Sequence, residues 1–173
     1  AYGIIMYVNF VFVSVFLGYA IGSAPIIGYN YGAQNRAELQ NMFKKSLILI
    51  SATGVFLTVL AEVSADLLAG IFVSNSPALM EMTAHGFRIY AIAFLIMGFN
   101  IFSSAFFTAL GNGLVSAIIS FLRTLVFQVV PLMILPVFFG LDGVWAAIVV
   151  AELIGVIVSF TFFAKLKQRY GYA

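Results

Sequence analysis

An all-α membrane helix bundle is the fold class this sequence predicts, on three observations. Hydrophobic residues make up 64% of the chain and charged residues 8%, where an ordinary soluble domain carries about 25% charged residues. The apolar residues fall into five long runs, each near the roughly 20 residues a membrane-crossing helix needs. The runs are continuous and lack the two-residue alternation of barrel strands. With 8 Lys plus Arg and 6 Asp plus Glu in 173 residues, there is too little charge to wet a soluble surface. That sets aside a soluble enzyme, a disordered tail and a nucleic-acid binder. There is no cysteine, hence no disulfide, Cys-based metal site or Cys nucleophile.

The first span covers about residues 4–27. No charged residue precedes Arg36, so this run does not read as a signal peptide. The second span is about 46–65, with a weaker apolar tail to Val73 and with Glu62 and Asp66 near its end. In Asn75-Ser76-Pro77, a serine before a proline marks a helix start, and a short interfacial helix is expected over about 77–87. The third span is about 89–110, the fourth about 114–138 and the fifth about 143–164. The turns Gly111-Asn112-Gly113 and Gly140-Leu141-Asp142 are short enough to force antiparallel neighbours.

Five antiparallel spans place the first connection, the third-to-fourth turn and the C-terminal tail on one side. That side carries Arg36, Lys44, Lys45, Lys165, Lys167 and Arg169; the other carries Arg88 and His85. By the positive-inside rule the C-terminus is cytoplasmic and Ala1 lies outside. An outside start without a signal peptide implies at least one earlier span, so the chain is expected to be a fragment.

Helices in lipid associate where small residues let backbones approach. The first span has two such rows, Ser14, Gly18, Gly22 and Ala20, Ala24, Gly28, Gly32; the fifth has Ala147, Ala151, Gly155, Ser159. Both helices are expected at the centre of the bundle. Pro25 is expected to kink the first span, as either a gating or a packing feature. Pro131 and Pro136 in the fourth span invite the same two readings.

Two charges lie at membrane depth. Arg123 is roughly 13 Å into the fourth span and Glu152 roughly 15 Å into the fifth, at 1.5 Å per residue. Across a core of about 30 Å both approach the midplane, and a short turn joins their helices. Either they form a paired bridge, or Glu152 faces a water-filled cavity and binds a cation or proton. Desolvation favours the neutral form of a carboxyl group, which suits proton exchange. Asn100, Ser103 and Gln128 are also deep and either line a cavity or bond across helices. Glu62, Asp66, Glu81, Arg88 and Asp142 are expected to be solvated near helix ends, and lone His85 is not expected to ligate anything. No paired intramembrane Asp, His cluster or Ser–His set suggests an enzyme, and no metal site is expected.

The string Pro25-Ile26-Ile27-Gly28-Tyr29-Asn30-Tyr31-Gly32-Ala33, preceded by Gly18 and Gly22, resembles the second-helix motif in each half of the multidrug and toxic compound extrusion (MATE) transporters. Phe72-Val73, Gly98-Phe99-Asn100, Ala109-Leu110-Gly111-Asn112, Arg123, Pro131 to Pro136 and Gly140-Leu141-Asp142-Gly143-Val144-Trp145 follow in that family's half-repeat order. The resemblance covers nearly the whole chain. It implies part of a two-lobed bundle, helices eight to twelve of the C-terminal lobe, although the N-terminal lobe has the same helix directions. It implies efflux of small cationic or amphipathic compounds from the plasma membrane, against inward H+ or Na+, by rocking of the lobes. The partners implied are the missing N-terminal lobe, the bilayer and the exported compound. No cofactor is implied. Many members have Gln where Ala24 stands, and members with a C-lobe sodium site have an acid in the span that here holds Asn100. The coupling site is therefore expected outside this chain. A related flippase of lipid-linked sugars and a non-transporting membrane anchor or subunit remain alternatives.

Overall fold

The computed structural model describes residues 2–73 and 76–173. Asn75, in the expected helix start, and Ala1, expected outside, lie beyond the described residues. The described chain is helical throughout: α1 (Tyr2–Gly32), α2 (Arg36–Phe72), α3 (Pro77–Ala91), α4 (Phe94–Ala109), α5 (Gly113–Phe121), a π-helical turn (Leu122–Val126) and α6 (Phe127–Tyr170). No strand occurs among the described residues.

Helix α1 stays continuous through Pro25, where the sequence leads one to expect a kink. It runs on through the Tyr-rich string, and a connection of only three residues leads into α2. Asn35 caps α2 by accepting a hydrogen bond from the Glu38 amide, 3.2 Å, which starts the helix well before its apolar run. Pro77 begins α3 at the position where a missing N–H costs nothing. Helices α3 and α4 meet at an angle of 50° around Ile92-Ala93, inside the run expected as one span from residue 89.

Three helical stretches are long and apolar enough to cross a membrane: Tyr2–Gly32, Arg36–Phe72 and Gly113–Tyr170. The bent α3–α4 pair adds a fourth candidate. The 58-residue stretch Gly113–Tyr170 is a hairpin. Its chain reverses at Gly140, whose φ of 58° and ψ of −132° are non-helical. Just beyond, Gly143 lies against the carbonyl of Leu135 and the nitrogen of Pro136. Any side chain at residue 143 would strike that backbone. The two arms of α6 are therefore residues 127–139 and 141–170.

Helix α4 is the hub. It packs against α1, α2, α5 and α6, and Phe94, Met97, Asn100, Ile101, Phe102, Ser103, Phe106 and Phe107 bury most of its circumference. A helix apolar all round belongs inside. The first span, expected with the fifth at the centre, turns only one of its two small-residue rows inward. Residues 18 and 20 lie about 200° apart on a helix with 3.6 residues per turn, so the two rows point oppositely. Ala20 is buried and Gly28 meets the Ala109 carbonyl, whereas Ser14, Gly18 and Gly22 are exposed. The fifth-span row is fully buried at Ala147, Ala151, Gly155 and Ser159. Two other glycines also permit close approach. Gly98 admits the Phe16 ring, and Gly54 lies against the Phe94 and Leu95 carbonyls.

One end of the bundle gathers the α1–α2 connection, the α4–α5 turn and the end of α6. Asn112 donates to the Tyr170 hydroxyl at 2.8 Å, and Gln40 to the Gly171 carbonyl at 3.2 Å. Phe43, Phe106, Phe107, Phe163 and Tyr172 stack below, with Phe106 and Tyr172 edge to face at 4.9 Å. Burial pushes the Tyr172 phenol above its ordinary range, so it remains a donor to the Phe163 carbonyl, 2.8 Å away. At the opposite end the Arg88–Asp66 ion pair at 2.7 Å and a His85–Asp142 hydrogen bond at 2.9 Å tie elements together. Trp145 lies flat over Gly86, where a Cβ would come within 2.5 Å of the indole.

Candidate functional site

Burying a carboxylate costs far more than burying an amide, so it persists only where donors surround it. Glu152, in the second arm of α6, is 0% exposed. Arg123 Nε donates to both carboxylate oxygens at 2.9 and 3.1 Å, and its Nη2 reaches Oε1 at 2.7 Å. Asn100 Nδ2 donates to Oε2 at 2.6 Å and to the Glu152 backbone carbonyl at 3.0 Å. Ser159 donates its hydroxyl to Asn100 Oδ1 at 3.0 Å. The amide of Asn100 is thereby fixed: its nitrogen must face the acceptor carboxylate and its oxygen the serine.

Each partner comes from a different element. Asn100 is on the hub α4, Arg123 in the π-helical turn and Glu152 on α6. Gly155 makes the approach possible, since a Cβ there would lie 2.8 Å from Asn100 Nδ2. A π-helical turn accommodates one extra residue, shifting the following face by about 100°. The backbone shows it directly, because Phe127 N–H bonds to the Leu122 carbonyl five residues back.

Of the five deep residues singled out from the sequence, the structure unites Asn100, Arg123 and Glu152. It leaves Ser103 and Gln128 elsewhere. Ser103 is fully buried, and its hydroxyl has no partner among the described residues. Gln128 lines a cavity of about 170 Å³ together with Tyr2, Asn9, Tyr90 and Val144. Asn9 Oδ1 is buried there without a partner among the described residues. The reading of Glu152 as open to a cavity gives way to the paired bridge: Arg123 and Asn100 line a cavity of about 150 Å³, while Glu152 does not. Cation and carboxylate sit in contact because the turn at Gly140 sets the two arms side by side.

Several polar residues were missed. Ser104 bonds to Ser116 at 2.9 Å and to Ser120 at 2.7 Å, and Thr108 donates to Ser116 at 2.7 Å. These hydroxyls form a seam between α4 and α5, and Ser104 and Ser120 reach the Arg123 cavity. Their four-residue spacings, 104 to 108 and 116 to 120, were the available signal. Asn9 and Tyr90 carried no such pattern. His85, not expected to ligate anything, hydrogen-bonds to Asp142, and Asp66 and Arg88, expected to be solvated near helix ends, are largely exposed and pair with each other. Among the described residues no three His, Cys, Asp or Glu side chains gather as a metal site requires.

The MatE family model matches residues 1–134. Multidrug export protein MepA of Staphylococcus saprophyticus is 24% identical over 156 residues, covering 90% of this chain and 34% of the relative. The chain thus spans about a third of that relative's length. An outward-facing multidrug resistance MATE family transporter of the MOP superfamily superposes with a TM-score of 0.91, at 22% identity, over 99% of this chain and 39% of its own. An inward-facing structure of a transporter so described gives 0.88, at 21% identity, over 96% and 39%. With the apolar helices, the hub-and-hairpin arrangement and a family match over most of its length, this multi-pass membrane chain belongs to the MatE family of multidrug and toxic compound extrusion transporters.

Proposed function

We propose that the chain forms most of one lobe, the C-terminal one, of an antiporter that exports small cationic or amphipathic compounds while H+ or Na+ enters. The other lobe of the same protein completes the transport path. One observation carries the reading: this fold is shared, at TM-scores of 0.91 and 0.88, with both an outward-facing and an inward-facing transporter. A lobe that fits both states suits rigid-body rocking. The Arg123–Glu152–Asn100–Ser159 network supplies the rigidity, since it ties three elements together at depth. In this reading Glu152 braces the lobe, and the coupling acid lies outside the chain. A single deep basic residue favours cationic drugs over the anionic lipid-linked sugars of a flippase. The six basic residues at one end support a cytoplasmic side for that end and for the C-terminus, in a lobe we assign to the plasma membrane.

The test is drug efflux from susceptible cells expressing the full-length protein, with and without Glu152→Gln. The full-length protein should lower drug accumulation in a manner that collapses with the ion gradient. Failure to do so overturns the transport reading. Glu152→Gln should lower protein yield yet leave the ion requirement of the remaining efflux unchanged; an altered ion requirement would instead make Glu152 the exchanging group.

A further inference from the structure

At the basic end, between the close of α1, the start of α2 and the end of α6, lies a cavity of about 280 Å³. Tyr31, Gln34, Arg36, Leu39, Arg169 and Tyr170 are among its walls, and no carboxylate lines it. Neither arginine belongs to an ion pair among the described residues. Both are nevertheless held in place. The stem of Arg36 crosses Gly171, 3.1 Å from where a Cβ would stand, and that residue's φ of +71° suits glycine. Arg169 lies 5.6 Å over the Tyr170 ring. Tyr170 is itself fixed by Asn112 and by an edge contact with Tyr31 at 5.6 Å.

The formal charges at the cavity are of one sign, while the C-terminal ends of α1 and α6 that meet there carry partial negative charge. Arg36 is the first residue of α2, where the positive end of the helix repels a cation. The carbonyls of Tyr29, Asn30 and Tyr31 accept from Ala33, Asn35 and Gln34, and that of Gly171 accepts from Gln40. Two planar guanidinium forks beside a cavity near the small end of the ligand-pocket range of about 300 Å³ and above suit a tetrahedral oxyanion. Gln34, in the cavity wall, holds a φ of 55°, an uncommon conformation for a side chain of its kind.

We propose that this pocket binds a phosphate-bearing anion, its oxygens shared between Arg36 and Arg169. A phospholipid headgroup and a soluble phosphate offer the same oxygens, and the experiment separates them. The proposal is independent of which compound the protein exports.

The full-length protein in detergent is examined by native mass spectrometry with phosphatidylglycerol and with phosphatidylcholine, and by calorimetric titration with inorganic phosphate. Removing both charge-assisted forks should weaken binding about tenfold or more. Phosphatidylglycerol should therefore be retained by the parent and lost to that extent in Arg36→Gln/Arg169→Gln. Lys44→Gln/Lys45→Gln, at lysines that do not line the cavity, should bind as the parent does. Arg36→Lys/Arg169→Lys keeps the charge without the fork and should fall between, which guards against a misfolded double Gln variant. Retention of phosphatidylglycerol without phosphate binding identifies a lipid site; phosphate binding lost in the arginine variants identifies a soluble-anion site. Equal retention of the two lipids without phosphate binding, parent-like binding by the arginine variants, or an equal loss in the lysine variant overturns the proposal.

Discussion

Glu152 draws three side-chain donor groups to a carboxylate with no exposed surface. Removing one member of such a pair strands the other's charge, at about 3–5 kcal/mol. An interhelical hydrogen bond in a membrane averages about 0.6 kcal/mol. Arg123→Ala should therefore lower the thermal stability of the detergent-solubilised full-length protein far more than Ser159→Ala, with Arg123→Met/Glu152→Met recovering much of the loss. Equal shifts for the two single variants would show that Arg123 is solvated rather than paired. The sequence placed both charges at one depth because depth follows from helical rise alone. It left Asn100 and Ser159 unconnected because their meeting depends on Gly155 lacking a side chain and on how α4 rotates against α6. Neither quantity is local to a residue.

At the scale of elements, glycines separate close approach from open space. Residue 143 touches the backbone of the preceding arm and residue 140 occupies a glycine conformation; imposing a side chain on such a backbone costs about 1–3 kcal/mol. A Cβ at residue 18 meets nothing within 4 Å, and replacing a helical glycine by alanine gains up to about 1 kcal/mol. Gly143→Ala should unfold the full-length protein at lower temperature, while Gly18→Ala should hold or raise that temperature. Destabilisation by Gly18→Ala would mean that the exposed row packs on a segment outside this chain. Hydropathy located the long apolar runs and the Gly140 reversal. It cut α2 short because the polar first turns of that helix are stabilised by a cap and by contact with the end of α6, not by apolar content. It also ran α3 into α4, because a 50° bend between two apolar helices leaves hydropathy unchanged.

For the whole molecule, the antiparallel order read from short turns brought the basic residues to one end, where Arg36 and Arg169 share a cavity. The proposed cytoplasmic side for that end rests on the same charges. Single cysteines at Lys44 and Lys167 in the full-length protein should react with a membrane-impermeant maleimide only after the cell interior is opened. Labelling of intact cells would invert the topology. The choice of hub was not legible, since every span is apolar enough to be central and only the fit of aromatics around Gly98 selects α4. That choice also bears on how the bundle is assembled. Ribosomes deliver α4 before α6, so Asn100 enters lipid ahead of the acid that will satisfy it, and Arg123 follows while still uncompensated. Until the second arm of α6 arrives, both remain burdens on the insertion machinery, and that arm acts as a built-in chaperone for the polar groups already committed to the bilayer.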